Sequence, residues 1–98
     1  MNNFVDELVA LIADRKVNPK SGSYTNELLT DPTKAVQKVG EEATELVVAA
    51  LAQSDQRVLE EMADLIYHCL VLLETRTLSW ADVVAELAKR HRSHPKQA

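Results

Sequence analysis

The chain has 98 residues, a formal net charge of −4 at pH 7 and 4% aromatic residues. A chain of this length predicts a single domain, and its acidic balance gives no bulk electrostatic support for nucleic-acid binding. Leucine, valine and alanine dominate while glycine and proline number only two and three, which favours helices over a β-sandwich or barrel. We therefore expect one all-α domain over residues 1–98, with a disordered basic tail from about residue 92 to residue 98.

The sequence also bears on where the protein resides. No apolar run reaches the roughly 18 residues that a membrane-spanning helix needs, and residues 1–16 carry acids within their apolar stretch, unlike a signal peptide. The single cysteine, Cys69, cannot form an internal disulfide, which fits a reducing compartment. These features predict a cytoplasmic protein with neither a membrane nor a nucleic-acid partner.

Two helical segments are predicted in the first third of the chain. The first runs from about residue 3 to residue 16, with Asn2 or Asn3 as its N-cap. Its apolar stripe has helical spacing and consists of Phe4, Leu8, Leu11 and Ile12. Residues 17–25 collect asparagine, proline, glycine and serine and therefore predict a loop, and a short helical turn is expected over residues 25–29.

Three longer helices are predicted in the remainder of the chain. Asp31 as N-cap, followed by a proline in the first turn, opens a helix that runs to about residue 52. The segment "QSDQ" breaks it, and a second long helix is expected over about residues 56–76. Ser79, with Asp82 three residues later, has the spacing of a capping box and predicts a last helix that ends near residue 91.

The two long helices are joined by a short connection, which predicts an antiparallel hairpin. Apolar residues extend beyond one narrow stripe on both helices, as shown by Val48 and Leu51 on the first and by Leu70 and Val71 on the second. Two flanking helices alone leave such a surface open. We therefore expect a second copy of the chain to cover it, which gives a homodimeric helical bundle.

Two acidic clusters of matching pattern lie on the predicted hairpin, "EEATEL" and "EEMADL". In each cluster, two acids three residues apart project from one side of the helix at the edge of its apolar stripe. These four acids are Glu42, Glu45, Glu61 and Asp64. Folding the hairpin about its turn places Glu45 and Asp64 at the same height, with the other two acids roughly 4.5 Å to either side.

Four carboxylates this close together repel one another strongly unless a cation is bound. Mg²⁺ prefers oxygen ligands and commonly keeps several waters and a substrate phosphate, whereas no cysteine or histidine pair has the spacing of a zinc site. The clusters therefore predict a Mg²⁺ site, with Glu41 as a further ligand or supporting group. The alternative is a solvent-facing acidic surface in which Glu42 pairs with Lys38 and Glu61 pairs with Arg57.

The motifs E-x-x-E and E-x-x-D, with fifteen residues between them, resemble the all-α nucleoside-triphosphate pyrophosphatase superfamily of MazG type. A narrower resemblance, to the phosphoribosyl-ATP pyrophosphohydrolase family, is carried by "SGSYTNELL", "QKVGEEATELVVAA" and "ADLIYHCLVLL". Together with "IADRK" before the loop, it extends from about residue 4 to residue 90. It implies a stand-alone dimer that uses Mg²⁺ to split phosphoribosyl-ATP into phosphoribosyl-AMP and pyrophosphate, the second step of histidine biosynthesis.

The resemblance and the chemistry together give each candidate residue a role. The four motif acids would bind the metal, and Glu41 or Glu45 is the candidate general base, because a base must reach the attacking water. An anionic substrate needs cations nearby. Lys38, which matches the lysine of the family motif, and Lys34, one turn before it, are expected to contact phosphate. The remaining expected substrate contacts are the loop residues Ser23, Tyr24 and Thr25.

Two other functions are compatible with parts of this pattern. A pyrophosphatase of the same superfamily that acts on dUTP, dCTP or noncanonical triphosphates would share the four acids. A nonenzymatic helical dimer would carry the acids as a solvated surface and would not bind Mg²⁺ specifically. His68 and Arg15 each allow either a substrate contact or an ordinary structural one.

Overall fold

Five α-helices make the fold, which the computed structural model describes over residues 3–94 and residue 96. They are α1 (Phe4–Val17), α2 (Tyr24–Leu29), α3 (Pro32–Ala52), α4 (Asp55–Thr75) and α5 (Trp80–Ser93). No strand occurs in this part of the chain, so the predicted all-α class is confirmed. Among the described helices, none is both long and apolar enough to cross a membrane.

The helices begin where the sequence places capping side chains. Asn3, Asp31 and Ser54 cap α1, α3 and α4 by accepting a hydrogen bond from the backbone N–H three residues later. In α5, Ser79 and Asp82 form the predicted capping box. The predicted bounds agree with the structure to within one residue, except that α5 continues to Ser93. The other predicted cap, Asn2, and tail residues 95, 97 and 98 lie outside the described residues, and the disorder of the tail stays a prediction.

The predicted hairpin is present: α3 and α4 pack against each other along their length. The core lies where α1 and α2 cover one end of this hairpin. Its fully or nearly buried members are Ile12, Leu28, Ala35, Leu70 and Val71, and Trp80 at the start of α5 packs against them. This packing fixes the loop before α2 and the start of α2 against α4, beside the acidic clusters.

The prediction that a second subunit covers Leu70 and Val71 is wrong. Leu70 and Val71 are buried within the single chain, because α1 and α2 both pack on α4. Val48 and Leu51 remain exposed, Leu51 with 83% of its surface accessible. The uncovered apolar surface is therefore mainly on α3 and on the first half of α4.

The N-cap of α3 gives a prediction about stability. The Asp31 carboxylate accepts a hydrogen bond of 3.2 Å from the Lys34 N–H, a donor that otherwise has no partner within the helix. Asp31→Ala is expected to lower the free energy of unfolding by about 1 kcal/mol, measured by urea denaturation. Thr33→Ala, at an exposed position in the same helical turn, is the control, with an expected change within about 0.5 kcal/mol. Equal destabilisation by the two variants would contradict the capping role.

Candidate active site

Three carboxylates from the two long helices meet on one side of the hairpin. One oxygen from each of Glu42, Glu45 and Glu61 lies within 4.8 Å of the others. Glu42 and Glu61 are only 6% and 4% exposed, respectively, whereas Glu45 is open to solvent. We call these three residues the carboxylate cluster. The hairpin therefore brings acids from both sequence motifs into one small volume.

Each buried member of the cluster pairs with a cation through only one of its oxygens. Lys38 Nζ lies 3.5 Å from Oε1 of Glu42 and 3.1 Å from Glu41. Arg57 contacts Oε1 of Glu61. The Oε2 atoms of both buried glutamates have no hydrogen-bond partner among the described residues. The ion pairs considered as the alternative to a metal site are therefore present, yet they leave one inward oxygen of each carboxylate unsatisfied.

The repulsion within the cluster appears in the proton affinity of its exposed member. When protonated, Glu45 can donate a hydrogen bond to Glu42 or to Glu61. These hydrogen bonds, followed by repulsion from the charges of both glutamates, raise the pKa of Glu45 to about 7. The pKa of Lys38 is also raised, first by its hydrogen bond to Glu41 and in smaller part by the nearby Tyr24 and Glu42. Without a cation in the cluster, the carboxyl group of Glu45 is therefore partly protonated near neutral pH.

The donor set of the cluster fits a hard divalent cation. Its three side chains supply only carboxylate oxygens, which Mg²⁺ prefers, and nitrogen and sulfur ligands typical of zinc are absent from it. Two buried oxygens without partners are costly in a folded protein and would gain ligands on metal binding. Glu42, Glu45 and Glu61 can therefore hold such an ion.

Asp64 does not join the other three acids. It is exposed and lies outside the group of oxygens within 4.8 Å, so Glu61 is the α4 carboxylate that meets both acids of α3. The longer side chain of glutamate explains part of this difference, since aspartate reaches one methylene less far from the helix. The backbone carbonyl of Asp64 accepts a hydrogen bond from His68. Asp64 as a metal ligand stays a prediction.

The hydroxyls of the predicted substrate loop are engaged in hydrogen bonds within the chain. Ser23 caps α2 by accepting from the Asn26 N–H at 3.2 Å. The Tyr24 hydroxyl lies 3.0 Å from Nε2 of His68, and the Thr25 hydroxyl contacts that of Tyr67. Tyr24 and Thr25 thus fix the start of α2 to α4, and the role of the three residues as substrate contacts stays a prediction.

The two predicted phosphate-binding lysines have different surroundings. Lys38 belongs to the edge of the carboxylate cluster, as described above. Lys34 lies further out, where it pairs with Glu27 at 3.3 Å and sits 5.8 Å from the centre of the Tyr24 ring. Arg15 pairs with the neighbouring Asp14 at 3.3 Å. Lys38 is therefore the candidate lysine with a direct connection to the cluster.

Sequence reasoning did not assign the partners of this loop on α4. His68 and Tyr67 contact Tyr24 and Thr25 across more than 40 residues of sequence. No local pattern in the sequence shows such a contact, and the sequence left His68 open between a substrate contact and a structural role. A depression of about 360 Å³ also lies beside the loop, but none of the three residues of the carboxylate cluster lines it. The chemistry places the candidate active site at the cluster and not in that depression.

The structure combines an all-α hairpin, converging carboxylates and adjacent cations, which are the features expected from the resemblance to the all-α pyrophosphatases. The model of one family, described as phosphoribosyl-ATP pyrophosphohydrolase, matches residues 5–91. The chain belongs to this family.

Curated relatives agree with the family match. The chain is 47% identical over 90 residues to a phosphoribosyl-ATP pyrophosphatase of Sulfolobus acidocaldarius, covering 91% of this chain and 95% of the relative. It is 49% identical over 87 residues to a phosphoribosyl-ATP pyrophosphatase of Lactiplantibacillus plantarum, covering 88% and 82%. It also matches the histidine biosynthesis bifunctional protein HisIE of Prochlorococcus marinus, 41% identical over 99 residues, covering 98% of this chain and 44% of that protein.

Proposed function

We propose that this chain hydrolyses phosphoribosyl-ATP to phosphoribosyl-AMP and pyrophosphate, as the second step of histidine biosynthesis in the cytoplasm. Membership of the phosphoribosyl-ATP pyrophosphohydrolase family supports the substrate. The observation that carries the chemistry is the carboxylate cluster, with its two buried oxygens that lack partners. A solvated acidic surface would leave its oxygens in water and not beneath the helix surface.

The proposed cofactor is Mg²⁺, held by the carboxylate cluster together with Asp64. When bound, the ion would neutralise charge on the phosphate oxygens and lower the pKa of a coordinated water. The burial of Glu42 and Glu61 fixes the direction in which their free oxygens point. Lys38 and Arg57 hold the opposite oxygens of the same carboxylates, so the cluster is oriented before any ligand arrives.

The same cations counter the negative charge of the substrate. Lys38 has 28% of its side chain accessible and can exchange a carboxylate contact for a phosphate contact, and Lys34 can do so further from the cluster. Ser23, Tyr24 and Thr25 are the proposed contacts on the loop side. Glu45 and Glu41 are the two candidates for the base that accepts a proton from the attacking water. Glu45 is favoured by its position, because it belongs to the carboxylate cluster and is open to solvent, where an attacking water can reach it.

The test of this function is pyrophosphate release from phosphoribosyl-ATP with Mg²⁺ or with EDTA. Mg²⁺-dependent turnover of phosphoribosyl-ATP, with little turnover of ATP, dUTP or dCTP, is expected. Preferential turnover of dUTP or dCTP would keep the metal site and overturn the proposed substrate. No Mg²⁺-dependent release from any of these compounds, by a folded protein, would overturn the proposed chemistry as well.

We also propose that the functional unit is a homodimer. Large apolar side chains lie exposed on α3 and on the first half of α4, and they are Val36, Val47, Val48, Leu51, Leu59 and Met62. An accumulation of exposed apolar side chains on two packed helices is typical of an interface between subunits. Its position on the two helices that carry the cluster suggests that pairing also stiffens the hairpin.

The dimer proposal predicts the effect of a charge on this surface. The wild-type chain is expected to show about twice its monomer mass of 10.9 kDa in light scattering at micromolar concentration. Leu51→Glu is expected to shift the population to monomer, because a buried charge without a partner is costly at an interface. Val17→Glu, at a similarly exposed position on α1, is the control and should leave the mass unchanged. A monomeric wild type would contradict the proposal.

A further inference from the structure

Two adjacent residues at the start of α2 are joined to two adjacent residues of α4. Tyr24 contacts His68 and Thr25 contacts Tyr67, in both cases through side-chain hydrogen bonds. His68 is 6% exposed, and its ring packs edge-on against both tyrosines, with centroids 5.8 Å and 5.0 Å away. The imidazole is therefore held in one place by its neighbours on both sides.

The hydrogen bonds of His68 determine which of its nitrogens carries the proton. Nδ1 lies 2.7 Å from the backbone carbonyl oxygen of Asp64. A carbonyl oxygen can only accept, so Nδ1 is the donor. In the neutral imidazole Nε2 then has no hydrogen and must accept. The Tyr24 hydroxyl, 3.0 Å from Nε2, is consequently the donor of that second hydrogen bond.

This arrangement changes what Tyr24 can offer to a substrate. The phenol has one proton, and that proton points towards His68, so the oxygen has only lone pairs left for a further partner. Tyr24 as a whole is 40% exposed. Phosphate oxygens near neutral pH are mainly acceptors, and two acceptors do not form a hydrogen bond. Hydroxyl groups of ribose and the exocyclic amino group of adenine are donors and match this oxygen.

We propose that His68 is a positioning residue that makes the Tyr24 oxygen an acceptor for a hydroxyl or amino group in the sugar or base part of the substrate, and not a phosphate contact. The proposal rests on the proposed function for the identity of the substrate. It assigns the phosphate contacts to the carboxylate cluster with Lys38 and Lys34, and it assigns the contact with a donor of the sugar or base to Tyr24, which lies beside Lys34.

The first test determines the tautomer of His68 in the wild-type protein in solution. Long-range proton–nitrogen correlation spectra of ¹⁵N-histidine-labelled protein at pH 8 distinguish the two neutral forms. The Nδ1–H pattern is expected for His68, and Tyr67→Phe, which removes a neighbouring hydroxyl, should retain it. An Nε2–H pattern or a charged imidazolium would overturn the proposal, because the Tyr24 proton would then be free. This result does not depend on the identity of the substrate.

The second test separates phosphate recognition from recognition of the rest of the substrate. Tyr24→Phe is expected to raise KM for phosphoribosyl-ATP by about 2- to 10-fold, the equivalent of one neutral hydrogen bond, with kcat changed by less than about 2-fold. Inhibition by inorganic tripolyphosphate, which has no donor groups of this kind at pH 8, should remain unchanged. An unchanged KM, or equal weakening of tripolyphosphate, would overturn the proposal.

A double-mutant cycle tests the role of His68 in the same measurement. His68→Asn keeps a donor near the Asp64 carbonyl and removes the acceptor for Tyr24. Its effect on KM is expected to resemble that of Tyr24→Phe, and the two effects should not add when combined. Full additivity would show that His68 does not act through Tyr24. If the wild-type protein released no pyrophosphate from phosphoribosyl-ATP, the proposed function would fail, while the tautomer measurement would still decide the arrangement of His68 and Tyr24.

Discussion

Glu45→Gln is expected to reduce pyrophosphate release from phosphoribosyl-ATP by at least about 100-fold and, in the same variant, to raise the melting temperature of the metal-free protein. Glu45 contributes one of the three oxygens of the carboxylate cluster. An amide is a far weaker ligand for a hard cation than a carboxylate and cannot accept a proton from water. Both proposed roles of Glu45 are therefore lost together.

The gain in stability has a separate physical reason. In the metal-free protein, hydrogen bonding to Glu42 and then to Glu61, followed by repulsion from their charges, raises the pKa of Glu45 to about 7. Glutamine has the same shape and no charge, and its NH₂ group can donate to the carboxylate oxygens that protonated Glu45 would otherwise contact. Near pH 8 the substitution removes repulsion and adds donors. Loss of activity with a gain in metal-free stability is typical of a functional site and not of a structural one.

The measurement combines turnover with Mg²⁺ and thermal unfolding in EDTA, both at pH 8. Glu86→Gln is the matched control, since Glu86 is an exposed helix glutamate paired with Arg90 and lies outside the cluster. It should change neither quantity appreciably. A Glu45→Gln variant that keeps its turnover, or that melts at a lower temperature than the wild type in EDTA, would contradict the metal site.

The order and the bounds of the helices could be predicted because local chemistry determines them. Caps such as Asp31 and Ser79 and the breaker segment "QSDQ" act within a few residues of where they stand. The hairpin followed from the short connection between two long helices. The prediction for Leu70 and Val71 was wrong because both pack in the core with residues of α1 and α2. A helical-wheel projection shows that one face of a helix is apolar but not whether another helix of the same chain or a second subunit covers that face.

The candidate site could be predicted to the level of its acidic motifs but not of its full geometry. The spacing of Glu42, Glu45 and Glu61 placed them correctly at one edge of the hairpin. The place of Asp64 depends on the axial offset of α3 and α4 and on side-chain length, which a helical wheel does not contain. The contact between Tyr24 and His68 depends on the path of the chain between residues 24 and 68, and it was accessible only from the structure.

The affinity for Mg²⁺ is expected to increase about tenfold between pH 6 and pH 8 and to level off above pH 8. A carboxyl group with a pKa of about 7 is about one-tenth ionised at pH 6 and about nine-tenths ionised at pH 8. Mg²⁺ binds only the ionised form, so it must displace the proton at the lower pH. Calorimetry should find release of about one proton per site at pH 6 and almost none above pH 8.

The contribution of Glu45 to the stability of the metal-free protein should decrease between pH 6 and pH 8, where the affinity for Mg²⁺ increases. Because the pKa of Glu45 is about 7 in the folded chain and 4.5 in the unfolded reference, the folded state binds more protons between these values. The contribution of Glu45 to the stability of the folded chain is therefore complete below pH 4.5 and is lost as the pH rises through 7. Histidines titrate in the same interval, so the comparison with Glu45→Gln isolates the contribution of Glu45.

Taken together, these opposite trends predict that the rise in melting temperature on adding Mg²⁺ is larger at pH 8 than at pH 6. At pH 8 the metal-free state is weakened by repulsion in the carboxylate cluster, and the ion that relieves this repulsion binds more tightly. At pH 6 the proton already performs part of that neutralisation, so Mg²⁺ adds less. An equal rise at both pH values would mean that Glu45 does not exchange its proton for the metal, and would leave Glu42 and Glu61 as the residues that bind it.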